Sequence, residues 1–173
     1  QTSAIVAGSP GGIPPQAQTE AWDGSSWAGT ADLNNGRGEG TGAGLTGTAG
    51  IVAAGKVPTN NYQAHSETWN GTAWTETSNT NSSKSDLGAA GSQTSAVIFG
   101  GTPGNKNETE VWDGTSWTEV NNLNEGRYGV QGGGVDSSQA LAAGGNDGSL
   151  VNSTEFWNGT SWTELNNLST ARS

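Results

Sequence analysis

The stretch Trp112-Asp-Gly-Thr-Ser-Trp117 places two tryptophans on either side of a short turn, and close copies occur at three other places in the chain. The copies are Trp22-Asp-Gly-Ser-Ser-Trp27, Trp69-Asn-Gly-Thr-Ala-Trp74 and Trp157-Asn-Gly-Thr-Ser-Trp162. Asp-Gly and Asn-Gly are strong short-range signals for a β-hairpin. The first tryptophans are 47, 43 and 45 residues apart, so the sequence predicts four repeats of about 45 residues.

Two charged positions keep a fixed distance from this hairpin in every repeat. The glutamates two residues before the first tryptophan are Glu20, Glu67, Glu110 and Glu155, and the basic residues fifteen after it are Arg37, Lys84, Arg127 and Arg172. A catalytic site would break the symmetry of the repeat, so both sets are interpreted as structural. Since 17 residues separate them in all four copies, we expect one ion pair per repeat, joining the third strand to the segment after the fourth.

The rest of each repeat also indicates strands. A short apolar run bounded by small residues, such as Ala96-Val-Ile-Phe-Gly100, is typical of a buried strand, and the segment after the basic residue is rich in glycine. We therefore expect four short strands and no helix in each unit, with approximate boundaries 1–44, 45–90, 91–134 and 135–173. The chain starts at a second strand and stops at Ser173, where a first strand should begin, so the first strand of one unit is expected to be missing.

The order of these features resembles the kelch repeat, which forms one blade of a β-propeller. The matching residues in the third unit are Gly100-Gly101, Glu110, Trp112, Trp117, Leu123 and Arg127. The resemblance implies an all-β fold, a single β-propeller domain over residues 1–173 built from four kelch-like four-stranded blades, as a closed ring or as part of a larger ring. The wording Asn-Gly-Thr-Ser-Trp-Thr-Glu is similar to kelch-like repeats of marine phage virion proteins and bacterial surface proteins.

The matches are not uniform among the four units. Ser9 and Ala54 stand where the pattern has the di-glycine pair, and Lys84 replaces the arginine. Some kelch propellers are copper oxidases, whose metal site requires two histidines and a tyrosine linked to cysteine. With one histidine and no cysteine, this chain lacks that site.

Composition excludes several classes of function. The net charge is −10 with only six Lys and Arg, so a nucleic-acid backbone would be repelled. There is no apolar run of about 18 residues, so insertion into a membrane is not expected. Turn chemistry explains the Asp-Gly and Asn-Gly pairs without calcium, and no Ser-His-Asp set or phosphate loop stands out. We expect no metal, no cofactor and no enzymatic activity. Because the chain begins at Gln1, we expect it to be processed or cut from a longer protein.

Candidate binding residues lie in the loops that absorb the length differences between units, at 9–18, 56–66, 102–108 and 146–153. Such insertions tend to map to one face of a repeat protein, which is often the binding face. The second loop alone carries both a tyrosine and the sole histidine of the chain. The candidates are Tyr62, His65, Asn60, Asn61, Pro14, Asn105, Asn146 and Asp147.

The interpretation that follows is a non-enzymatic structural or adhesive module of a virion or cell surface, extracellular in location. Its rim loops would contact other protein subunits or surface glycans, in a homo-oligomer or as part of a larger chain. The alternative is a carbohydrate-binding propeller, in which exposed tryptophans or Tyr62 stack on sugar rings. Solvent exposure of the eight tryptophans distinguishes the two.

Overall fold

The computed structural model describes residues 2–9, 16–58 and 61–173, and within them the chain forms 17 β-strands and no helix. The expected all-β class is confirmed. No helix that could span a membrane is present in these residues.

The strands form four larger antiparallel sheets, one after another along the chain, and one small hairpin. The first sheet has three strands, β1 (Ala4–Ser9), β2 (Gln16–Trp22) and β3 (Trp27–Gly29). The second has β4 (Thr41–Thr46), β5 (Ala49–Ala53), β8 (Ser66–Trp69) and β9 (Trp74–Thr77). The third has β10 (Gly88–Ser92), β11 (Ser95–Phe99), β12 (Thr109–Trp112) and β13 (Trp117–Val120). The fourth has β14 (Gln131–Asp136), β15 (Gln139–Ala143), β16 (Thr154–Trp157) and β17 (Trp162–Glu164). The hairpin in the second loop pairs β6 (Lys56–Val57) with β7 (Asn61–Tyr62).

The tryptophan-flanked turns are the hairpins that the sequence predicts. In the third sheet Trp112 lies opposite Trp117 across the β12–β13 pair, and the two rings are 5.4 Å apart. Asp113 Oδ1 accepts hydrogen bonds of 2.8 Å from the backbone N–H groups of Thr115 and Ser116. Gly114 has a φ of 95°, a conformation that glycine adopts at little cost. The turn residues therefore fix the register that places the two rings together.

The glycine-rich segments form the first strands of the second, third and fourth sheets. Strand β10 lies between β4 and β14 and contacts both. A Cβ atom at Gly132 of β14 would overlap the carbonyl oxygen of Ala89 in β10, so glycine is needed for this approach. The first sheet has no such strand among the described residues, and β1 is an edge strand.

The apolar core lies between consecutive sheets. One cluster joins the first and second sheets, a second joins the second and third, and a third joins the third and fourth. In the last, the rings of Phe99 and Trp162 meet edge to face at 4.8 Å. The core of each sheet is therefore completed by the sheets next to it in sequence.

Candidate functional site

Buried ion pairs join each sheet to the next. They are Arg37 Nη2 to Glu67 Oε1 at 2.5 Å, Lys84 Nζ to Glu110 Oε1 at 2.6 Å, and Arg127 Nη1 to Glu155 Oε1 at 3.1 Å. All six side chains are at most 3% exposed. The basic residue follows the last strand of one sheet, and the glutamate lies on the third strand of the next.

The expectation of an ion pair within each repeat is therefore wrong. Glu67 pairs with Arg37 of the preceding unit rather than with Lys84 of its own. The segment that carries Arg37 runs from the end of β3 to the start of β4, so its side chain lies between two sheets. The glutamate of a unit therefore contacts the preceding sheet, and the basic residue 17 positions later contacts the following sheet.

An asparagine completes each of these carboxylate sites. Asn34 donates to Glu67 Oε2 from its backbone N at 2.8 Å and from Nδ2 at 2.9 Å. Its Nδ2 also donates to the carbonyl oxygen of Trp74 at 3.1 Å. Asn81 makes the same contacts to Glu110, and Asn124 to Glu155. These asparagines were not among the predicted site residues, although each stands three residues before the basic residue.

We call each of these contacts between consecutive sheets a junction. Burial affects the charged groups at the junctions. Burial lowers the pKa of Arg37, and the charge of Glu67 opposes that shift. Arg127 Nη1 is within ion-pair distance of Glu155 but makes no directed hydrogen bond to it, so that contact is electrostatic. Removing either partner of such a pair leaves an uncompensated buried charge.

Six of the eight tryptophans are buried, and the second tryptophan of the second, third and fourth hairpins also reaches the preceding sheet. Hydrogen bonds of 3.0 Å run from Trp74 Nε1 to Thr19 Oγ1, from Trp117 Nε1 to Ser66 Oγ, and from Trp162 Nε1 to Thr109 Oγ1. These rings fill the space between sheets, so they are structural and offer no platform to a sugar.

The first and fourth sheets carry the same groups, and Arg172 Nε in the segment after the fourth sheet donates to the carbonyl oxygen of Thr170 at 3.3 Å. Trp27 is 48% exposed, and Glu20 and Arg172 are both exposed. Neither charge forms an ion pair with any described residue, which contradicts the expected pair at Arg172. Thr154 Oγ1, which corresponds to Thr109, donates to the carbonyl oxygen of Asn166 at 2.9 Å.

The second, third and fourth variable loops start at equivalent positions of the structure. The second, third and fourth loops begin with bridges from Lys56 to Gly38, Thr102 to Ser85 and Asn146 to Tyr128. Asn105 Nδ2 donates to the carbonyl oxygen of Asp147, which joins the third and fourth loops.

The other candidate binding residues make different kinds of contact in the structure. Asn61 and Tyr62 form β7, with Tyr62 opposite Lys56. His65 is half-buried, and its carbonyl oxygen accepts a hydrogen bond of 2.5 Å from Arg37 Nη1, so its backbone belongs to the junction. Asn146 Oδ1 accepts from the backbone N of Gly148, as expected of turn chemistry. Asn60 and Pro14 lie outside the described residues.

A small charged cluster, none of whose residues was a predicted site residue, lies where the second and third sheets begin. Glu39 Oε2 is 2.5 Å from Lys56 Nζ, and the backbone N of Asp86 donates to the carbonyl oxygen of Glu39 at 2.9 Å. Burial and the negative charge of Glu39 raise the pKa of Asp86. The hydrogen bond to Glu39 raises the pKa of Lys56. Both acidic residues stand two positions after a junction cation, which is the signal that could have identified them.

Two cavities lie between the first and second sheets, with volumes of about 260 and 320 Å³. Both are lined by Ile5 and Ala7 of β1 together with residues of β4 and β5. They lie along the edge of β1, where the other sheets have a glycine-rich strand.

Within residues 2–9, 16–58 and 61–173, no three His, Asp or Glu side chains are grouped in a way that could hold a metal ion. No protein-family model and no curated protein matches this chain.

Proposed function

We propose that this chain is a structural module, made of kelch-type blades of a β-propeller, that presents its rim loops on a virion or cell surface. The strongest support comes from the contacts that the recurring residues make. The glutamates, cations and tryptophans that recur in every unit join one sheet to the next wherever a neighbouring sheet is present. These charged and aromatic side chains therefore already contact a neighbouring sheet and hold consecutive sheets together.

The arrangement of the sheets supports the propeller interpretation. Four consecutive antiparallel sheets follow one another, with glycine-rich first strands in contact and the core between neighbours. Blades of a propeller have this strand order and pack face to face around a centre. Each sheet of this chain would then be one blade.

The exposure of the tryptophans favours a structural role over carbohydrate binding. The rings of Trp69, Trp112 and Trp157 are at most 1% exposed, so no sugar can stack on them. Trp27 is the one largely exposed ring among the eight, and its counterparts in the other sheets are covered by a neighbouring sheet. Its exposure follows from its place at the end of the array.

The rim loops provide the contact surface in this proposal. Three of them start with equivalent bridges, and they carry exposed polar groups such as Asn61, Asn105 and Asp147. Loops on a rigid scaffold are the usual location of contact residues.

Immunogold labelling of intact producing cells or particles tests the location, with an antibody raised against the loop 102–108. We expect labelling without permeabilisation. Labelling that requires permeabilisation would contradict the surface role.

A glycan array with the purified chain tests the alternative. We expect no binding, and sugar binding that is lost in Trp27→Ala would establish the carbohydrate-binding function instead.

A further inference from the structure

We propose that the side chains of Lys84 and Glu110 condense into an isopeptide bond, which joins the second sheet covalently to the third. Lys84 lies in the segment that follows β9, and Glu110 lies on β12. The reaction also uses Asn81 and Glu108. It rests on the geometry of this one junction and does not depend on the surface location proposed above.

The amine and the carboxyl group are held together away from water. Lys84 Nζ is 2.6 Å from Glu110 Oε1, and the two side chains are 0% and 1% exposed. A lysine amine can attack a carboxyl carbon once it has lost a proton. Contact between two fixed groups makes such a step unimolecular, with an effective concentration on the order of 10⁵ M or more when the groups are well oriented. Burial then protects the amide from hydrolysis.

Asn81 provides the donors that stabilise the negative charge of the intermediate. Glu110 Oε2 accepts hydrogen bonds from the backbone N of Asn81 at 2.7 Å and from its Nδ2 at 2.8 Å. Attack on the carboxyl carbon places negative charge on one of its two oxygens, and two fixed N–H donors stabilise such an oxyanion. Oε2 is therefore the oxygen that stays in the amide, and Oε1, which faces Lys84, is the one that leaves.

Glu108 is the base of the reaction. Its Oε2 is 3.8 Å from Lys84 Nζ and accepts a hydrogen bond of 2.6 Å from Ser82 Oγ. Burial raises the pKa of Glu108, but hydrogen bonds from Ser82 and Lys106 outweigh that effect and keep the pKa below its ordinary value. The Glu108 carboxylate is thus ionised at neutral pH and can accept a proton from the amine.

The two groups that this reaction adds to an ordinary junction occur together. Lysine replaces arginine at position 84, and the carboxylate of Glu108 stands two residues before the glutamate of the same junction. At the other two junctions that the structure describes, the corresponding residues are His65 and Ser153, and the cations are Arg37 and Arg127. An arginine guanidinium stays protonated and is not a nucleophile. An ion pair alone requires neither change.

The bond forms with every atom and proton accounted for. A proton moves from the ammonium of Lys84 to Glu110 Oε1, since a buried site favours a neutral amine and acid over two charges. Nζ then attacks the carboxyl carbon, and negative charge develops on Oε2. Glu108 takes one proton from Nζ and delivers it to Oε1, which leaves as water while Oε2 becomes the amide oxygen. The products are one amide and one water, and Glu108 returns to its initial state.

Mass spectrometry of the purified chain tests for this bond. We expect an intact mass that is lower than the mass of the sequence by one water. Trypsin should not cut after Lys84, because its amine is acylated, and residues 57–106 should remain joined to residues 107–127 through Lys84 and Glu110. Separate peptides of unchanged mass would overturn the proposal. So would a crosslink that is formed with loss of ammonia, because the acceptor would then be an asparagine.

Two variants test the roles of the amine and the base, and the crosslinked fraction is followed with time after cell-free synthesis. Lys84→Arg restores the residue of the other junctions, so it should fold and keep the full sequence mass. Glu108→Gln should form the bond at least about a hundredfold more slowly, because the base is lost. Glu164→Gln, the same substitution at an exposed position of β17, is the matched control and should react at the wild-type rate. A crosslink in Lys84→Arg, or an unchanged rate in Glu108→Gln, would contradict the reaction as written.

Discussion

Replacing Trp117 with alanine measures how strongly one sheet depends on the next. The ring is 6% exposed, lies 5.4 Å from Trp112, and donates through Nε1 to Ser66 Oγ of the preceding sheet at 3.0 Å. Truncation of a buried tryptophan costs about 3–5 kcal/mol. Because it also leaves a buried hydroxyl without its donor, we expect a loss near the upper end, about 4–5 kcal/mol. For a domain of this size this lowers the melting temperature by roughly 8–20 °C.

Urea denaturation with circular dichroism provides the assay, and Trp27→Ala provides the matched control. Trp27 occupies the same position in the first sheet but is 48% exposed, with Trp22 as its ring contact at 5.6 Å. Its removal should cost about 0.5–1.5 kcal/mol, the range for one aromatic pair. Equal losses for the two variants would refute the argument, since they would show that contact with the preceding sheet contributes little. Trp117→Phe should show an intermediate loss, because it removes the indole donor and keeps most of the apolar area.

Two further predictions concern the inner strands and the charged cluster. Gly132→Ala should cost about 1–3 kcal/mol in urea denaturation, because its Cβ would overlap the backbone of Ala89. At Gly133, where a Cβ would meet nothing within 4 Å, the same substitution should stay within about 0.5 kcal/mol. Equal costs at both positions would contradict this. Asp86→Asn should raise the melting temperature at neutral pH, because the fold raises the pKa of Asp86 and so disfavours its charged form. That advantage should disappear below pH 3.8, the ordinary pKa of aspartate. There the Asp86 carboxyl of the wild-type protein is protonated in both the folded and the unfolded state. Asparagine tolerates the φ of 54° at this position, and an advantage that persists in acid would point to a cause other than charge.

The hairpins and the strand order could be predicted from the sequence because they depend on local chemistry. Asp-Gly and Asn-Gly between two tryptophans determine the turn, and the turn determines which residues lie opposite each other. These features need no knowledge of how the sheets are arranged in space.

The partners of the charged residues could not be predicted in the same way. A constant spacing of 17 residues between Glu67 and Lys84 is equally consistent with a contact between them and with two separate contacts to neighbouring sheets. Only the path of the segment after each last strand decides between these, and that path is a property of the packed sheets. For the same reason the sequence could not show that Glu20 and Arg172 form no ion pair with any residue that the structure describes. The cluster around Glu39 was missed because it forms between two units.

A double-mutant cycle on Arg37 tests the central claim, that the repeated charges join consecutive sheets. The first cycle combines Arg37→Gln with Glu67→Gln, and the second combines Arg37→Gln with Glu20→Gln, its partner at the constant spacing within the unit. Unfolding free energies should show a coupling of about 1–3 kcal/mol for Arg37 with Glu67. They should be additive within about 0.5 kcal/mol for Arg37 with Glu20. Coupling to Glu20 in place of Glu67 would contradict the account.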